Sequence, residues 1–116
     1  MNIFRKKKPL LRQFSYILSH YTEPISVKRL ASEAGYTQVH FISLFRLYFG
    51  ATPKQYITFL RLNKACSLLK TTKFSVCHIA HLCGYDDEFY FIRLFRKRQS
   101  LSPLAYRRSV EDRRLK

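Results

Sequence analysis

Acidic residues are scarce in this chain: 7 Asp and Glu stand against 22 Lys and Arg, a formal charge of +15 over 116 residues. With so few carboxylates, no pair falls on a common face for general acid–base work, and no nucleophile–base spacing is recognisable. Glycine is rarer still, at 3 residues, so there is no glycine-rich loop to cradle a nucleotide phosphate. These absences speak against an enzyme, and no cofactor is expected. Cys66, Cys77 and Cys83 are an odd number in an ordinary composition, which fits a reducing cytoplasm better than a disulfide scaffold. Long apolar runs are missing too, which removes a membrane span. Arg5, Lys6, Lys7 and Lys8 are followed only by Pro9-Leu10-Leu11 before Arg12 and Gln13 return. That run is too short for the core of an export signal.

What is present is apolar mass and positive charge. Hydrophobic residues make up 47% and aromatics 16%, enough for the core of one domain. A compact fold this positive repels itself, which is tolerable mainly when the usual partner is a polyanion: DNA, RNA or an anionic membrane.

The chain also repeats itself. Residues 25–36 read ISVKRLASEAGY and residues 74–85 read FSVCHIAHLCGY, an offset of 49. FISLFR at 41–46 returns as FIRLFR at 91–96, and Thr52-Pro53…Tyr56 returns as Ser102-Pro103…Tyr106, both at an offset of 50. One residue has been inserted between Tyr85 and Phe91. In the first copy Ser26 can cap a short helix from Val27 to about Ala34, with Leu30 and Ala31 facing inward. Gly35 supplies a left-handed turn, and Thr37 caps a second helix to about Phe49. Phe41, Leu44, Phe45 and Tyr48 form its apolar stripe. The second copy repeats this with Ile79, Ala80, Gly84, Tyr85, Phe91 and Leu94. A small residue, a turn glycine and apolar anchors at these spacings describe a helix-turn-helix.

Between the copies, Thr52 caps and Pro53 opens a connector helix to about Leu69 or Lys70. Phe59, Leu62, Cys66 and Leu69 are expected on one face, with Tyr56 and Leu60 on another. Leu10, Leu11, Phe14, Ile17, Leu18 and Tyr21 predict an amphipathic helix before the first copy, stopped by Thr22-Glu23-Pro24. A last short helix follows Ser102-Pro103. The reading is all-α, about seven helices, two helix-turn-helix units and no strand. The domain spans 9–108, with units at about 27–49 and 75–98, the connector at 53–70, and basic tails at 1–8 and 109–116.

Leu30-Ala31…Gly35-Tyr36, Leu44-Phe45-Arg46, Arg61-Leu62-Asn63-Lys64-Ala65…Leu68-Leu69, Ile79-Ala80…Gly84-Tyr85, Asp87, Tyr90-Phe91, Arg93, Phe95-Arg96, Pro103 and Tyr106-Arg107 carry a resemblance. With them the chain resembles the DNA-binding domain of the AraC/XylS family of bacterial transcription regulators, from about Leu10 to Arg108. The resemblance implies sequence-specific binding of double-stranded promoter or operator DNA, with two recognition helices in adjacent major-groove segments. It further implies contact with RNA polymerase, a monomer, and a place on the bacterial nucleoid. Ser100 departs from the glycine usual there. Ile42 and Ser43 replace longer polar residues, and Ile92 a Ser or Thr.

Base contacts are expected from the exposed face and first turn of each recognition helix: Gln38, Val39, His40, Ile42 and Ser43, then Glu88, Phe89, Ile92 and Arg93. Gln38 suits adenine, Val39 a thymine methyl, Arg93 a guanine and Glu88 cytosine N4. For Arg93 a pairing with Asp87 inside the fold is a rival role. Phosphate contacts are assigned to Arg46, Lys54, Arg96, Lys97 and Arg98. A connector of about 17 residues spans about 26 Å against about 34 Å between successive groove faces, so bent DNA or one incompletely seated helix is expected. The alternative is a sequence-independent DNA- or RNA-binding protein. Cys77 and His81 share a helix face near His78 and Cys83, but two ligands do not close a metal site, and none is expected.

Overall fold

The computed structural model describes the backbone of residues 3–115 and the side chains of residues 8–114. Among the described residues seven helices form and no strand: α1 (Ile3–His20), α2 (Val27–Glu33), α3 (Gln38–Phe49), α4 (Pro53–Thr71), α5 (Val76–Leu82), α6 (Glu88–Gln99) and α7 (Pro103–Leu115). The segments expected as basic tails continue into α1 from Ile3 and into α7 as far as Leu115. Met1, Asn2, Lys116 and the side chains of residues 3–7 and 115 lie outside the described residues. Two compact units divide the chain, residues 1–60 and 61–116, and the boundary falls inside α4.

Short polar side chains start the helices as their positions require. Ser26, Thr37 and Ser75 accept the backbone N–H three residues on, at 3.1, 3.2 and 3.1 Å. Thr52 and Gln55 cap reciprocally: the Gln55 N–H donates to Thr52 Oγ1 at 3.2 Å, and the Thr52 N–H donates to Gln55 Oε1 at 3.0 Å. Ser102 accepts from the Ala105 N–H at 3.1 Å. Each such cap contributes on the order of 1 kcal/mol.

In the first unit Leu10, Ile17, Leu30, Ala31, Phe41, Phe45 and Ile57 are buried together. Phe14 seals the core by stacking on Phe49 at 4.4 Å and meeting Tyr56 edge-on at 5.0 Å. The inner face of α1 is Leu10–Gln13–Ile17, so Leu11 and Leu18, expected on the stripe, stay exposed. Gln13 lies at a core position because its Nε2 donates to the Leu30 carbonyl at 2.8 Å, which ties α1 to α2. An amide without that partner would cost roughly 1–3 kcal/mol to bury.

In the second unit the core is Leu62, Ala65, Leu69, Val76, Ile79, Ala80, Cys83, Tyr85, Phe91 and Phe95, with Cys66 and Tyr106 packed against it. Phe59, expected on the same stripe as Leu62, lies ahead of it and remains exposed, in tilted contact with Tyr56 at 5.9 Å. Ile57 is the buried residue of that part of α4. Arg107 of α7 closes the far end of α4. Its Nε donates to the Leu69 carbonyl at 3.2 Å, and its Nη2 donates to the carbonyls of Thr72 at 3.3 Å and Phe74 at 2.7 Å. These carbonyls belong to the last turn of α4 and the loop beyond it, which no helical N–H can satisfy.

Candidate nucleic acid interface

Each unit presents its second helix through the same turn. Past α2, the Tyr36 N–H donates to the Ala31 carbonyl at 2.9 Å and the Gly35 N–H to Ser32 at 3.0 Å, with Gly35 at φ +81°. Past α5, Tyr85 reaches the Ala80 carbonyl at 2.9 Å and Gly84 reaches His81 at 3.1 Å, with Gly84 at φ +104°. This double bond about a left-handed residue is a Schellman motif, and it sets the angle between the two helices of each unit. The inserted residue is Asp86, in the turn before α6. Asp87 then caps α6 by accepting from the N–H groups of Phe89 and Tyr90 at 2.9 and 3.1 Å.

With Phe41 and Phe45 anchored in its core, α3 turns Gln38, Val39, His40, Ser43, Arg46 and Leu47 to solvent. Ile42 is half-buried at the edge of that face. On α6, Phe91 and Phe95 are the anchors, and Phe89, Tyr90, Arg93, Arg96, Lys97 and Arg98 are exposed. Glu88 is half-buried, and Ile92 is half-buried against the core. Lys54 is exposed in the first turn of α4. The expected contacts on α3 and α6 are therefore on these outer faces, with the two isoleucines at the margins, while Lys54 lies on α4.

Leu47 and Tyr90 are the outward residues that sequence reasoning did not select. The repeat offset of 50 was the available signal, since it pairs Leu47 with Lys97 and His40 with Tyr90. Val39 and Phe89 are likewise paired, and these large apolar side chains are 78% and 72% exposed. The two faces differ in charge: α3 has one cation, Arg46, whereas α6 has Arg93, Arg96, Lys97 and Arg98 against Glu88.

Arg93 is held by an aromatic relay rather than by Asp87, whose carboxylate caps the helix. The Arg93 guanidinium lies over the Tyr90 ring at 5.8 Å. Tyr90 meets Tyr85 edge-on at 6.0 Å, and Arg61 lies over Tyr85 at 5.0 Å. In the first unit Tyr36 and His40 make the corresponding edge contact at 5.2 Å, with Ser43 where Arg93 would be.

The cysteines take no part in either face. Burial pushes the Cys83 thiol up to about 11 and raises that of Cys66 as well, so both are poor nucleophiles near neutrality. Among the described residues no three His, Cys, Asp or Glu side chains gather to hold a metal ion. None of the described helices is long and apolar enough to cross a membrane.

Comparison with known proteins bears on these faces. A family model described as a helix-turn-helix domain matches residues 30–109. The MmsAB operon regulatory protein of Pseudomonas aeruginosa is 38% identical over 98 residues, 84% of this chain and 32% of that protein. The probable transcriptional regulator LumQ of Photobacterium leiognathi is 35% identical, over 79% of this chain and 37% of its own. The chain thus spans about a third of the length of these relatives. Among solved structures, the DNA-binding domain of AdpA, a global transcriptional factor crystallised with a target DNA, aligns with a TM-score of 0.85 at 31% identity. That alignment covers 93% of this chain and 97% of that one. An AraC-type regulator from Chromobacterium violaceum aligns with a TM-score of 0.76 at 28% identity, over 90% and 93%.

Proposed function

Because this chain belongs to the AraC/XylS family of helix-turn-helix transcription regulators, we propose that it binds specific double-stranded DNA sequences and regulates transcription from them. One observation carries the reading: two copies of one motif each turn a solvent-facing helix outward with a basic residue at the same position, Arg46 and Arg96. Helices held this way fit the major groove, with first-turn side chains at the base edges. Gln38, Val39, His40, Ser43, Glu88, Phe89 and Arg93 are the base-facing residues, with Ile42 and Ile92 closing the margins. Arg46, Lys54, Arg96, Lys97 and Arg98 contact phosphates.

The protein acts as a monomer whose two units take unequal half-sites in neighbouring major-groove segments. Its place is on the nucleoid in the cytoplasm, and its protein partner at promoters is RNA polymerase. Its activity is binding, without catalysis of its own. A footprint in excess non-specific duplex tests this. Protection of particular sequences is expected, whereas protection that disappears under competition identifies a sequence-independent binder held by the +15 charge.

A further inference from the structure

One line along the outer face of α3 is uncharged where its counterpart on α6 carries two cations. Val39, Ser43 and Leu47 follow one another four residues apart, and Val39 and Leu47 are 78% and 75% exposed. The matching positions on α6 are Phe89, Arg93 and Lys97. Two large aliphatic side chains left in water on one line of a helix gain by burial against an apolar group. The repeat indicates what it is: the same face of the second copy is studded with cations suited to a polyanion, and Arg46 keeps one of them on α3. From Val39 to Leu47 is eight residues, about 12 Å of helix, which is about the width of a major groove. The only apolar group that duplex DNA offers there is the thymine 5-methyl.

We propose that α3 recognises thymine methyl groups, one beneath Val39 and one beneath Leu47, with the small Ser43 letting the helix approach closely between them. The inference rests on the reading that α3 enters the major groove. It makes the first half-site thymine-dependent at two positions, beside the hydrogen-bonded readout by Gln38 and His40.

Duplexes enriched by the whole chain from a random-sequence library are the probe, resynthesised with deoxyuridine replacing thymidine one position at a time. Deoxyuridine keeps every hydrogen-bonding group and loses only the methyl. Two positions are expected to weaken binding about fourfold each, the affinity equivalent of burying one methyl. Val39→Ala should remove one of these penalties and Leu47→Ala the other. Neither exposed side chain supports the core, so thermal unfolding should be unchanged in both variants. A flat uracil scan on a tightly bound, enriched duplex overturns the methyl readout while sequence-specific binding stands. Penalties that persist in the Val39→Ala/Leu47→Ala double variant overturn the assignment to α3. Failure to enrich any sequence overturns the proposed function, and this inference with it.

Discussion

Ser100 holds a left-handed backbone at φ +65°, the only described residue other than glycine to do so, at the place where the first copy has Gly50 at φ +81°. For an L-residue that conformation costs roughly 1–2 kcal/mol, partly offset because serine has less chain entropy to lose than glycine. Ser100→Gly should therefore stabilise the protein by about 0.5–1 kcal/mol, a rise of a few degrees in Tm. Gly50→Ser should cost a similar amount. A Cβ at Gly50 meets nothing within 4 Å, so that cost is purely backbone strain. Cys83 makes a second residue-scale prediction. Its thiol is raised by burial from about 9 in the unfolded chain to about 11. Below pH 9 both states hold the proton and nothing is lost. Between pH 9 and 11 the unfolded chain releases the proton and the folded one keeps it, so stability falls as pH rises. Urea midpoints followed across that window should decline less steeply in Cys83→Ala, the residue type the first copy has at Ala34.

Arg107 does for α4 what no residue within the helix can, by satisfying three carbonyls from another element. Arg107→Ala should destabilise by about 2–3 kcal/mol, since hydrogen bonds from a charged donor contribute roughly 1.5–3 kcal/mol each and are shared here by one group. Arg107→Lys should recover only part of this, because a point charge cannot bridge three acceptors. Denaturant unfolding of the three proteins distinguishes the cases. The role of Arg107 was not legible in the sequence, which marks it as part of the family resemblance without saying what its guanidinium holds. Gln13 was hidden for the same reason, as was the exposure of Leu11, Leu18 and Phe59: each depends on what another element brings to the site. Caps and turns were legible because their chemistry is local. Ser26, Thr37, Thr52, Gly35 and Gly84 act within a few residues of themselves, so spacing alone placed them. The anchors of the outer helices, Phe41, Phe45, Phe91 and Phe95, were legible through periodicity, and with them most of the candidate interface. Leu47 was missed because an aliphatic residue next to such a stripe reads as core until its angle about the helix is known.

The net charge of +15 is shared by both units across the whole molecule, but of the two outer helices α6 carries more of it than α3. If about 6–8 phosphates are neutralised, the logarithm of affinity should fall against the logarithm of salt with a slope of about −5 to −7. A slope shallower than about −2 would remove the electrostatic account altogether. The distribution of cations sharpens this into a comparison. Arg96→Gln/Lys97→Gln should make the slope shallower by about 2, and Arg46→Gln by about 1, since each lost phosphate contact removes about 0.9. The sequence preference should divide the opposite way. On the proposed reading the α3 face, with its single cation, should lose less affinity with salt and discriminate through methyl groups, whereas the cationic α6 face should contribute the salt-sensitive affinity, with Arg93 as its proposed base reader. If the proposed monomer takes unequal half-sites, raising the salt should erode protection at the α6 half-site first. A footprint with strict two-fold symmetry, fading evenly with salt, would instead require two copies of the chain placing the same helix in both half-sites.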